Sequence, residues 1–261
     1  MRIQAAAVGM AMILVACGHQ AQSAPPTSKL EQAVAGTTNR VAAASVDPDP
    51  RVGAVFLSGS DLHACTGSVL HSAAGNLVLT AAHCLSAGGP VRFVPGFASK
   101  ATPDDMWTVD AVYLDPRWLA NKDPLADYVI ARVGHPTGGS VEAVVGSALT
   151  LGTAPARGSR VNVVAYPAGV GGLPIGCQAS TGLSDGGYPE LPCAGLVDGT
   201  SGAPWISGST VTGVIGGLHG GGCAENLSYS SPFDQHIAEL FERAQAGGPG
   251  DAAPQSFDDE C

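Results

Sequence analysis

Acyl transfer through a serine alcohol needs a hydroxyl that attacks, an imidazole that takes its proton, and a carboxylate that steadies the imidazole. Ser201 lies in Asp198-Gly199-Thr200-Ser201-Gly202-Ala203-Pro204-Trp205, a turn of small residues. A side chain at Gly199 or Gly202 would crowd a tight turn that presents the Ser201 hydroxyl and aims the Gly199 and Ser201 N–H groups at one oxyanion. His83 ends the run Asn76-Leu77-Val78-Leu79-Thr80-Ala81-Ala82-His83-Cys84. Small residues at Ala81 and Ala82 leave room around its ring, and a bridge at Cys84 would pin the turn that orients it. Asp127 directly precedes Tyr128-Val129-Ile130-Ala131-Arg132-Val133, an apolar strand whose start would bury a carboxylate beside the base. Asp123, which precedes a proline, is the alternative acid. His19, His63, His71, His135, His219 and His236 have no comparable neighbours and are read as surface or packing residues.

The elements that must hold these groups are short. Aromatic content is 5%, and 36 glycines and 19 prolines supply frequent turns, as in a fold of strands joined by tight connections. Apolar or alternating segments run over 52–57, 67–70, 76–82, 91–94, 108–114 and 128–133. A second set covers 148–151, 160–166, 173–179, 202–206, 211–215 and 227–230, with His135 to Ser140 as the connector. Two antiparallel barrels side by side account for both sets. One helix is expected near the end: Ser231 as N-cap, Pro232 at the first helical position, Ile237, Leu240, Phe241 and Ala244 at helical spacing, and Gly247-Gly248 as the stop.

The ends of the chain have a different character. Met1-Arg2 and the apolar run from Ala5 to Ala16 are too short for a membrane span of about 20 residues and read as a secretory signal. The run closes on Leu14-Val15-Ala16-Cys17, which resembles a bacterial lipobox, so Cys17 is the expected lipidation site and membrane anchor. Residues 18–49 are rich in Ala, Gln, Ser, Thr and Pro and read as a disordered tether; a propeptide is the other reading. Residues 247–261 form an acidic tail. Of seven cysteines, six remain after Cys17, in a chain bound for an oxidising compartment. Cys65 and Cys84 flank a strand-turn-strand stretch and pair first; Cys177–Cys193 and Cys223–Cys261 complete the set, with Cys193–Cys223 as the competitor. A formal charge of -10 would repel a phosphate backbone, which argues against nucleic acid as a partner.

The motifs Thr80-Ala81-Ala82-His83-Cys84 and Asp198-Gly199-Thr200-Ser201-Gly202, with Asp127 at the head of a strand, resemble the chymotrypsin-like serine proteases. The resemblance spans about 51–246 and is dense only around these three sites. It implies an all-β fold of two six-stranded antiparallel β-barrels with a C-terminal α-helix: barrel 1 at about 50–134, barrel 2 at about 141–230 and the helix at about 232–246, within a protease domain of 50–246. It implies a serine endopeptidase with His83 as base, Asp127 as its acid, Ser201 as nucleophile, and an oxyanion hole at Gly199 and Ser201. The Cys65–Cys84 bridge also matches. Many members carry an aspartate before the serine that receives a newly cut N-terminus; Thr200 stands there, so the chain resembles the bacterial branch of glutamyl endopeptidases and trypsin-like secreted peptidases.

By the same resemblance, Gly195, Asp198, Gly216, Gly217, Leu218 and Tyr229 would wall the pocket for the side chain preceding the cut. Leu218 favours a shallow apolar pocket, whereas Asp198 would invite a basic side chain; Ile215 at the place of a pocket histidine argues against glutamate. The expected partner is a peptide or protein substrate, for a monomer held to the envelope only by its lipid. No cofactor is expected, and no His-Glu-x-x-His or paired Cys-x-x-Cys spacing supports a metal hydrolase. The other reading is a weakly catalytic pseudoprotease serving as a cell-surface binding module.

Overall fold

The structure, a computed structural model, describes residues 41–57, 59–85, 89–224 and 226–254. Cys17 and Cys261, and with them the lipid anchor and the Cys223–Cys261 pairing, lie outside the described residues. In chain order come β1 (Ala44–Ser45), β2 (Val52–Phe56), β3 (His63–Leu70), β4 (Leu77–Thr80), β5 (Arg92–Pro95), β6 (Trp107–Leu114), α1 (Pro116–Asn121) and β7 (Val129–Gly134). Strands β2 to β7 close into a barrel in the order β2-β3-β4-β7-β6-β5, every neighbour antiparallel. These six strands fall on the six apolar segments of the first set. Strands β2 and β4 are buried at every residue, which is why their sequences are continuously apolar instead of alternating.

The second half contains α2 (Val141–Val145), β8 (Thr150–Leu151), β9 (Arg160–Ala165), β10 (Ile175–Ser180), β11 (Gly182–Leu183), β12 (Pro189–Leu191), β13 (Pro204–Ser207), β14 (Thr210–Val214), β15 (Ser228–Tyr229) and α3 (Gln235–Ala246). Joined by β1, its strands form a six-stranded sheet, β1-β10-β9-β13-β14-β8, and a three-stranded sheet, β11-β12-β15. The fold is the all-β, two-barrel chymotrypsin-like one with a C-terminal helix. A buried cluster joins the halves, with Leu79, Tyr113 and Ile130 from the first meeting Val164, Val214 and Phe233 from the second. Helix α3 seals this seam through Ile237 and Leu240, each contributing roughly 1.5–3 kcal/mol by burial.

Three boundaries differ from the sequence reading. Helix α3 is capped not by Ser231 but by Asp234, whose carboxylate accepts from the His236 N–H at 2.9 Å; the Ser231 hydroxyl is used elsewhere, as described below. Residues 41–49, assigned to the tether, include β1 and pair with the second half. In the acidic tail, Asp251 accepts from the Leu114 N–H at 2.8 Å and pairs with Arg243 at 2.7 Å, so residues up to there pack on the first barrel. Disulfides join Cys65 to Cys84 and Cys177 to Cys193; the latter removes Cys193 as a partner for Cys223, which is itself disulfide-bonded. Among the described residues no helix is long and apolar enough to cross a membrane.

Candidate active site

Strand β4 runs into Ala81 and Ala82, both buried, and the chain then turns through His83–Leu85. The bridge from Cys84 to Cys65 on β3 ties this turn to the neighbouring strand, with Cα atoms 6.1 Å apart. Across the barrel, Asp123 caps the turn Pro124–Ala126 by accepting from the Leu125 N–H at 2.9 Å. Asp123 is thereby occupied with its own turn, and Asp127, the next acid, reaches the imidazole.

The Asp127 carboxylate is fully buried and is met by three donors. The His83 ring Nδ1 lies 2.8 Å from Oδ2, the His83 backbone N–H donates to Oδ1 at 3.0 Å, and the Gly217 N–H donates to Oδ2 at 2.7 Å. Burial pushes this carboxyl up, but the charge of His83 and the three hydrogen bonds outweigh it and hold Asp127 below the usual carboxylate range. An ionised acid at Nδ1 fixes the proton there and leaves Nε2 as the basic nitrogen. Ligand atoms of His83, Cys65 and Cys84 fall within 4.8 Å of one another. The two sulfurs are bridged, so neither offers the thiolate a metal requires.

Ser201 is brought to the same region by Thr66, a residue the sequence reading passed over. The Thr66 N–H donates to the Ser201 carbonyl at 2.8 Å, and its hydroxyl donates to the Gly199 carbonyl at 3.0 Å. Thr66 follows Cys65, whose bridge partner follows His83, so three covalent steps and one hydrogen bond connect Ser201 to His83. Gly202 packs so closely on the Thr80 hydroxyl and the Thr66 carbonyl, at φ +79°, that a Cβ has no place. The Ser201 hydroxyl makes no hydrogen bond among the described residues, and nucleophile–base contacts often shorten only when substrate binds.

The turn ahead of Ser201 is set by backbone. The Asp198 carbonyl accepts from the Ala168 N–H at 2.8 Å, and the Thr200 N–H and hydroxyl both donate to the Val197 carbonyl, at 3.0 and 2.7 Å. Gly199 takes φ +88°, and a Cβ there would fall on the Ala168 amide nitrogen. Among the described residues nothing accepts from the Gly199 or Ser201 N–H. Two unspent donors beside a serine hydroxyl are what a developing oxyanion requires.

A cavity of about 550 Å³ opens beside Ser201, within the range of small-ligand sites. Of the six residues assigned to the pocket, Asp198 lines it. Among the others, Gly217 supplies an amide to Asp127, Gly216 bonds to the Tyr229 carbonyl at 3.0 Å, and Tyr229 pairs with Glu190. Leu196, Ile215 and the excursion His219–Ala224 also line this cavity. His219, Gly220, Gly221 and Gly222 all have positive φ, a path that short-range patterns do not reveal.

No protein-family model matches the sequence, and no curated protein does either. Solved structures do match. The protease Anisep from Arthrobacter nicotinovorans is 26% identical with a TM-score of 0.67, over 78% of this chain and 99% of that one. A Glu endopeptidase is 15% identical, TM-score 0.62, over 79% and 97%. Human heparin binding protein is 17% identical, TM-score 0.63, over 81% and 100%. The last two show the fold alone. Together with the likeness to Anisep, the fold supports a protease-like, hydrolytic function. Its disulfides are those of an extracellular protein.

Proposed function

We propose that the chain is a serine endopeptidase in which Ser201, His83 and Asp127 hydrolyse peptide bonds through an acyl-enzyme. The observation that carries this reading is the 2.8 Å contact of His83 Nδ1 with a fully buried Asp127, together with a Ser201 turn that packs at Gly202 on Ala81 and keeps two unspent amide donors. Nε2 of His83 removes the Ser201 proton as Oγ bonds to the scissile carbonyl carbon, and the carbonyl oxygen gains the electron pair between the Gly199 and Ser201 N–H groups. The imidazolium then returns that proton to the departing amine. Water repeats the sequence on the acyl ester, which frees the acid product and Ser201. The side chain preceding the cut enters the cavity along Leu196 and Ile215.

Secretion and lipidation of Cys17 belong to the same reading and rest on the apolar run ending in Leu14-Val15-Ala16-Cys17. The chain acts outside the cytoplasm, on extracytoplasmic peptides, as a monomer held by its lipid. Hydrolysis of fluorescent casein by the wild type, abolished in Ser201→Ala, is the expected result. A folded wild type that leaves casein intact favours the binding module instead. Membrane release of the protein on Cys17→Ser tests the anchor.

A further inference from the structure

The chain ahead of the first barrel does not join that barrel but crosses to the second. The Ala43 N–H donates to the Ala194 carbonyl at 2.7 Å, and the Ala194 N–H donates to the Val41 carbonyl at 2.9 Å. Ala44 and Ser45 then pair with Gly176 and Ile175, and the Val46 N–H donates to the Pro174 carbonyl at 3.0 Å. The fit is close: a Cβ at Gly176 would stand 2.7 Å from Val46 Cγ1. Ala43 packs on the cluster that contains Cys193, Leu196 and Ile215.

Ala194 lies two residues before Leu196, which lines the cavity beside Ser201. The segment from Cys193 to Ser201 is fixed downstream by the bonds of Ala168 to Asp198 and of Thr66 to Gly199 and Ser201. Gly195 and Leu196 make no hydrogen bond among the described residues. Upstream, the wall is therefore held by the Cys177–Cys193 bridge and by this added strand.

We infer that Val41 to Val46 form a strap of positioning residues that sets the cavity wall at Ala194–Val197, and so governs the binding of peptide substrate more than the reactivity of Ser201. The inference rests on the proposed peptidase reading. Replacing Ala43 by proline removes the donor to Ala194, whereas glycine keeps it.

In the full chain, Ala43→Pro is expected to hydrolyse casein about tenfold more slowly, the size expected for losing one hydrogen bond. Labelling by a small fluorophosphonate, which does not fill the cavity, should stay within about threefold of wild type, and Ala43→Gly should restore casein hydrolysis. Hydrogen exchange at Ala194 should accelerate while β9 is unchanged. Casein hydrolysis at the wild-type rate, equal losses with casein and fluorophosphonate, or acceleration spread over β9 overturns the strap. If the wild type proves inert to both reagents, the peptidase reading fails. Exchange then decides the strap alone: selective acceleration at Ala194 supports it, and none overturns it.

Discussion

The Ser231 hydroxyl accepts a hydrogen bond from the backbone N–H of Asp127 at 3.0 Å, although 104 residues separate them. The same hydroxyl donates to the Pro124 carbonyl at 2.7 Å, so one buried side chain spans both ends of the turn that delivers the acid. Ser231→Ala leaves a buried N–H and a carbonyl unpaired, which costs about 1–3 kcal/mol. The expected result is a lower urea midpoint together with a reduced kcat, and Ser231→Thr should recover much of both. A Ser231→Ala enzyme with unaltered kcat and midpoint would contradict this role.

Asp127→Asn should cut kcat by about 10⁴ with little change in KM, the loss seen in the serine protease template when the acid can no longer hold the correct tautomer. Asp123→Asn, at the alternative acid, should keep its turn cap, because asparagine caps about as well as aspartate, and should leave stability and kcat near wild type. Steady-state kinetics on the two variants decides between the acids.

Much of this site was legible from short range. His83 and Ser201 each sit in a local pattern whose small residues serve the turn itself, and the first barrel was legible because its strands are short apolar or alternating runs, such as Leu77–Thr80 and Trp107–Leu114, set apart by turn residues. What escaped depends on distance or on backbone alone. Thr66 reaches Gly199 across 133 positions, and nothing in its neighbourhood marks the hydroxyl for that use. Ser231 looked like a helix cap because Pro232 follows it, but its oxygen was already committed to Asp127 and Pro124. The segment Val41-Ala42-Ala43-Ala44-Ser45-Val46 pairs through amides and carbonyls, which carry no side-chain signature, and so was read as tether.

Gly199→Ala should abolish turnover while leaving most of the fold. Alanine is strained at φ +88°, and its methyl group would run into the Ala168 backbone. Displacing one oxyanion donor lowers kcat by about 10²–10³. Single-turnover acylation is the measurement, and a loss below tenfold would remove Gly199 from the oxyanion site.

Acid should destabilise the fold through its depressed carboxylates. At Asp115, burial pushes the carboxyl up, but hydrogen bonds from Arg117 and from the Tyr128 hydroxyl, with the charge of Arg117, hold it below the usual range; Asp127 is lowered as well. A depressed folded pKa contributes stability that is complete above the unfolded value, near 3.9, and fades as pH falls through the folded value. Urea midpoints should therefore hold steady between about pH 5 and 7 and drop below about pH 4. Asp115→Asn should flatten that drop and be less stable at neutral pH.

The central claim is that the Ser201 oxygen is activated by the His83–Asp127 pair. Fluorophosphonate treatment followed by peptide mass spectrometry reads this directly. The account expects covalent phosphonylation at Ser201 in the wild type, slowed by orders of magnitude in His83→Ala and absent in Ser201→Ala. A folded wild type that carries no label at Ser201, or that labels equally fast without His83, would contradict it.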